Sequence, residues 1–206
     1  DTVRLIVSEE AEEPEIRILE TREELPWSGH MATHALPEIY TAIIKHNTTL
    51  VFVNTRAQAE VVFQQLWRIN NDNLALALHH GSLAREQRRK VEAAIARGDL
   101  RAVVATSSLD LGVDWASVDL VVQIGAPKGV SRLVQRIGRA NPRLDSPRRA
   151  ILVPANRFEV LECRAALEGV CAQTLDGDPP RPGGLDVLAQ HLLGLSCSYP
   201  YQADDM

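Results

Sequence analysis

Residues 135–143 read QRIGRANPR and place Arg136 and Arg139 three positions apart in a stretch of helical character. Guanidinium groups at that spacing lie on neighbouring helix faces and can converge on one polyphosphate, with Gly138 permitting close approach and Gln135 and Arg143 at either end. Residues 105–115 read ATSSLDLGVDW. Here the hydroxyls of Thr106 and Ser107 precede Gly112, which lets the chain turn, and Asp114, a carboxylate able to accept hydrogen bonds from ribose hydroxyls. Three smaller groups share this polar, anion-seeking character: Asn54, Thr55 and Arg56; His79, His80, Gly81 and Ser82; and the stretch 125–128 ending at Lys128. An arginine pair on a helix is most often a solvated face, so the weight of these groups depends on where the fold puts them.

The elements that would position them are legible from periodicity. Apolar, β-branched runs at 49–53, 75–78, 102–105, 120–124 and 150–153 read as strands buried on both faces, and 15–19 is a candidate sixth. Thr55 is expected to cap a helix from Arg56 to about Ile69, with Gln58 completing a capping box and Val62, Leu66 and Ile69 as its apolar stripe. Ser82 is expected to cap a helix ending at Gly98, and Ser131 one running to about Ala140. Asn156 with Glu159 starts another ending at Gly169, and 36–45 reads as a helix with Pro37 in its first turn. Alternating strands and helices specify an α/β fold, a parallel sheet flanked by helices. In such a sheet ligands bind beyond the carboxyl ends of the strands, where all the polar groups above fall.

Charge is segregated. The net charge is -5, but residues 1–26 hold 9 acidic and 3 basic side chains, whereas 128–157 hold 8 basic ones, Arg132 among them, against Asp145 alone. The basic stretch is where an anion would go. Three cysteines, Cys163, Cys171 and Cys197, lack both the spacing of a zinc or redox site and the even count of a disulfide framework, and no metal-ligand spacing surrounds the histidine pair. No apolar run is long enough to span a bilayer and the first residues are acidic, so no membrane association and a cytoplasmic location are expected.

The chain starts at Asp1 rather than Met and is expected to belong to a longer protein. Composition shifts at 176–184, rich in Asp, Gly and Pro, and Leu185, Leu188, Ala189, Leu192 and Leu195 then form one apolar helical face. Three segments are expected: an acidic linker over 1–27, the α/β domain over 28–172, and over 173–206 a linker with the beginning of a further domain.

The order VFVNTR (51–56), HHGS (79–82), ATSSLDLGVDW and QRIGRA resembles motifs IV, the intervening glycine motif, V and VI of superfamily-2 helicases. The wording HHGSLAREQRRKVE, VVQIGAPKGVSRLVQRIGRAN and LVPANRFEVLECRAA is similar to Lhr-type (large helicase-related) DNA helicases, especially the bacterial ligase-associated branch. That resemblance implies a RecA-like second motor domain followed by a winged-helix domain, with ATP and its magnesium held mainly by a first RecA-like domain and single-stranded or partially duplex DNA lying across both. It implies Arg139 as the arginine finger, assisted by Arg136, with Gln135 positioning and with Gly112, Asp114 and Arg143 near the nucleotide. Asn54, Arg56, Gly81, Thr106, Ser107, Lys128 and Arg132 would line the DNA track, and a role in DNA repair beside a DNA ligase or nuclease follows by the same route. Neither G-x-x-x-x-G-K-[ST] nor D-E-x-[HD] occurs in the chain, so the phosphate-cradling loop must come from elsewhere. An RNA helicase would carry nearly the same motifs, since they contact backbone and ATP rather than bases. A non-catalytic module with a helicase shape is the other alternative. A nicotinamide-binding domain is the least favoured reading, since no G-x-G-x-x-G follows any strand.

Overall fold

The computed structural model describes residues 13–110, 118–140, 147–177 and 183–198. Six strands form one sheet in the order β1-β6-β5-β2-β4-β3: β1 (Glu15–Ile18), β2 (Thr49–Phe52), β3 (Leu76–His79), β4 (Ala102–Ala105), β5 (Leu120–Ile124) and β6 (Arg149–Val153). All pairings are parallel. Strands β2, β4 and β5 are buried at every position, as continuous apolar runs in a sheet covered on both faces require.

Alternation along the strands feeds two cores. Val51, Val104, Val122 and Ile151 pack with α1 (Leu36–Lys45) and α2 (Arg56–Arg68), while Leu50, Phe52, Val103, Val121 and Leu152 pack with α3 (Arg85–Ala96), α4 (Val130–Ile137) and α5 (Arg157–Cys171). Burial of Cys163 in the second core pushes its thiol pKa up to about 12.

Helix starts follow local chemistry. The Thr55 hydroxyl accepts from Gln58 N, and the Gln58 side chain reaches back to Asn54 N, one residue earlier than a strict capping box would put it. Asn156 accepts from the amides of Phe158 and Glu159. Two expected caps differ. Ala84 rather than Ser82 precedes α3, because the Ser82 hydroxyl is taken by Arg56 Nη1 and a turn from Leu83 N to His80 O intervenes. Gly129, with φ 104°, precedes α4, so Ser131 lies inside the first turn. That helix stops at Ile137 rather than near Ala140, tightening through Arg139 N to Arg136 O and Ala140 N to Ile137 O.

The chain divides into compact units at 1–175 and 176–206. The described part of the second holds α6 (Leu185–Ser198), which has no buried residue and exposes Leu185, Leu188 and Leu193. Among the described residues no helix is long and apolar enough to cross a membrane.

Candidate nucleotide and nucleic-acid site

At the carboxyl edge, the end of β4 turns through Thr106 into a short 3-10 segment, Ser107–Leu109, and brings Asp110 under α4. The Asp110 side chain is 9% exposed and that of Arg136 is 3% exposed. Arg136 Nε donates to Asp110 Oδ1 at 2.8 Å and Nη2 to Oδ2 at 3.3 Å, a two-pronged pair. Arg132 Nε lies 3.6 Å from Oδ2. Arg139 Nη2 donates to the Asp110 carbonyl at 2.9 Å. Two guanidinium groups thus face the Asp110 carboxylate and a third its main-chain carbonyl.

The geometry corrects one expectation. Arg136 and Arg139 do not stand side by side on a helix surface: Arg139 follows the end of α4, and Arg136 points inward, 4.7 Å over the Phe52 ring, with Nη1 on Gln123 Oε1. A guanidinium that has left water must be fully partnered, and Asp110, Gln123 and Phe52 supply those partners. Arg139 is half-buried, and Gln135, Lys128 and Arg132 are exposed. A Cβ on Gly138 would meet the Val134 and Gln135 carbonyls at 3.3 Å, so its small size serves the helix end itself. Gly112, Asp114 and Arg143 lie outside the described residues.

The second polar face runs over the ends of β2, β3 and β4. Asn54 Nδ2 donates to the Ala126 carbonyl at 2.9 Å, joining the loops after β2 and β5. Gly125 is required there: its φ is 81°, and a Cβ would stand 2.9 Å from Asn54 Nδ2. Exposed Arg56 reaches Ser82, linking the loops after β2 and β3. At Gly81 an added Cβ meets nothing within 4 Å, so the fold of the chain leaves open space there. Thr106 is buried and Ser107 exposed.

Beneath this face the histidine pair is structural. His79, 1% exposed, has Nε2 3.0 Å from Glu92 Oε1 and Nδ1 2.8 Å from Ser108 Oγ. His80 Nδ1 accepts from Ser82 N, so its proton sits on Nε2, 3.4 Å from Glu60 Oε1. Burial lowers the His79 pKa below 6.5, with Glu92 opposing and Arg88 and His80 reinforcing, and His34 is lowered by burial too. Between those lowered values and 6.5 the unfolded chain binds more protons than the folded one, so folded stability falls as pH drops below 6.5 and is flat just above it. Thermal unfolding across that range checks the sign; a midpoint independent of pH would contradict it.

Reasoning from sequence missed Asp110 and Gln123, the hub and its neighbour. A signal for the second was present: Gln123 is the only polar residue in the strand LVVQI. Glu159 was read as a capping residue but does more, accepting from Ala126 N at 3.2 Å and Ala155 N at 2.8 Å and so tying α5 to the β5 loop.

A parallel sheet with an arginine cluster and linked polar loops along its carboxyl edge is the arrangement of a RecA-like α/β domain. Residues 32–141 match the helicase conserved C-terminal domain. Over 155 residues the chain is 41% identical to the ATP-dependent helicase Lhr-Core protein 2 of Thermococcus barophilus, covering 75% of this chain and 18% of that protein. It is 31% identical to the Lhr helicase/uracil glycosylase of Escherichia coli, covering 81% and 13%. The structure of Mycobacterium smegmatis helicase Lhr bound to ssDNA and AMP-PNP superposes with a TM-score of 0.73 and 32% identity, covering 95% of this chain and 26% of that one. The chain belongs to the helicase conserved C-terminal domain family, as a second RecA-like domain of Lhr type in superfamily 2. It spans 18% to 20% of the length of the archaeal Lhr-Core proteins it matches.

Proposed function

We propose that this domain is one wall of an ATP-driven DNA translocase or helicase, closing on a nucleotide held by a first RecA-like domain that carries the phosphate-binding loop and the magnesium-holding acid. The observation that carries this reading is the gathering of Arg132, Arg136 and Arg139 on Asp110, at the edge where parallel sheets bind ligands. Arg139 is the arginine finger, and Arg136 acts through the geometry it imposes on Asp110 rather than by touching phosphate. Gln135, Gly112, Asp114 and Arg143 belong to the same wall. A finger of this kind neutralises charge developing on the transferred phosphoryl group.

Single-stranded or partially duplex DNA runs along the other polar face, its phosphates met by Asn54, Arg56, Thr106, Ser107 and the backbone at Gly81, with Lys128 beside the β5 loop. The open space above Gly81 supports this assignment. Residues 173–206 begin a winged-helix domain, and the whole protein acts in cytoplasmic DNA repair beside a ligase or nuclease.

The 206-residue chain alone is expected to bind single-stranded DNA weakly, with log affinity falling linearly in log salt concentration, by about 0.7 per phosphate contacted. Anisotropy titrations of a labelled oligonucleotide at several salt concentrations test this, with Lys128→Glu weakening binding. Salt-independent binding, or tighter binding to an RNA strand of the same sequence, would count against a DNA track.

A further inference from the structure

Gln123 is fully buried at the penultimate position of β5, whose other four residues are Leu, Val, Val and Ile. Its register partners Phe52 and Leu152 belong to the core beneath α4, and an apolar side chain would fill the same place without needing hydrogen-bond partners. The amide orientation is fixed by its neighbours, since a guanidinium only donates and a carbonyl only accepts. Oε1 accepts from Arg136 Nη1, while Nε2 donates to the Ile124 carbonyl at 3.0 Å and the Gly125 carbonyl at 3.1 Å and stands 3.5 Å from Asn54 Oδ1.

Asn54 is held to Ala126 and Gln58 at the end of β2, and Arg136 is held to Asp110, whose carbonyl holds Arg139. One continuous chain therefore runs from Asn54, through its bond to the Ala126 carbonyl and the adjoining Gly125 carbonyl, to Gln123, Arg136, Asp110 and Arg139, from the loop assigned to DNA phosphate to the residue assigned to ATP. The planar amide of Gln123 carries its acceptor and its donors as one rigid unit. A displacement of Asn54 that turns this amide moves Oε1 away from Arg136, and at 3% exposure that guanidinium has no water to replace the lost acceptor. Arg136 then follows, and with it Asp110 and the Arg139 contact.

We propose that Gln123 is a positioning residue that couples occupancy of the DNA loop at Asn54 to the placement of Arg139, so that DNA stimulates ATP turnover through this buried relay. The proposal rests on the function assigned above.

The test is steady-state ATP turnover by the full-length protein with and without saturating single-stranded DNA, together with affinity for the same DNA. The native sequence is compared with Gln123→Leu and Gln123→Glu. The glutamate variant retains an acceptor for Arg136 and loses the donors to the Asn54 side. Expected is a fall of about tenfold or more in the ratio of turnover with DNA to turnover without it, with DNA affinity retained. A native-like ratio overturns the relay, as does loss of DNA affinity in step with the ratio, or an equal drop in turnover with and without DNA, which is what a packing defect gives. Should Gln123→Leu fail to fold by circular dichroism, the glutamate variant decides. Absence of stimulation in the native protein would instead refute the proposed function itself, and the relay with it.

Discussion

Asp110→Ala is expected to destabilise the domain by about 3–5 kcal/mol, because it strands the buried Arg136 charge with no compensating carboxylate. Arg136 sits at 3% exposure with two of its nitrogens on this one side chain, so the loss is not made up by water. The destabilisation is specific to breaking the pair. Replacing both partners together, as Asp110→Leu with Arg136→Met, should recover part of the stability, since an apolar pair of similar volume is often no worse than a buried ion pair, while Gln123 Oε1 loses its donor. Chemical denaturation of the two single variants and the double variant checks this. The double variant should still turn over ATP poorly in the full-length protein, because the Arg136–Asp110 pair no longer fixes the position of the Asp110 main-chain carbonyl that holds Arg139. If the single and double variants were equally destabilised, Asp110 would matter for packing and not for charge.

Arg139→Ala is expected to lower DNA-stimulated ATP turnover in the full-length protein by about 10³- to 10⁵-fold, the range for losing an arginine finger. Its backbone lies just past the end of α4, and its guanidinium reaches back to the carbonyl of Asp110, so it is aimed by both segments of the proposed ATP wall. Arg139→Lys should recover little, since an ammonium is a point charge and cannot hold the Asp110 carbonyl while presenting a planar fork to phosphate. DNA affinity should survive in both variants, as the proposed phosphate contacts at Asn54, Arg56 and Thr106 do not involve Arg139. Turnover and affinity measured on the same preparation separate the two roles. Parallel loss of both would make Arg139 a DNA-contacting or structural residue.

The strands were legible because a parallel sheet buried on both faces writes itself as short unbroken apolar runs; Leu120–Ile124 and Ala102–Ala105 coincide with the expectation from sequence. Thr55 and Asn156 were legible as caps because their side-chain oxygens take helix amides that lie within three residues in the sequence. Ser82 was misread for the opposite reason: Arg56, distant in sequence, takes its hydroxyl. The same limit hid the hub of the site. Spacing shows that Arg136 and Arg139 are near each other but not which way each guanidinium turns, and the inward turn of Arg136 depends on Asp110, Gln123 and Phe52 arriving from three separate segments. Long-range pairing of this kind leaves only an indirect trace in sequence, here a lone glutamine in an apolar strand.

The central claim, that this domain completes an ATP site whose phosphate-binding loop lies on a partner domain, is tested most directly by ATP turnover measured side by side for the 206-residue chain and the full-length protein, each with and without single-stranded DNA. The chain alone should show no turnover above background under either condition, and the full-length protein should show turnover that rises with DNA. Hydrolysis by the chain alone, or a full-length protein indifferent to DNA, would contradict it.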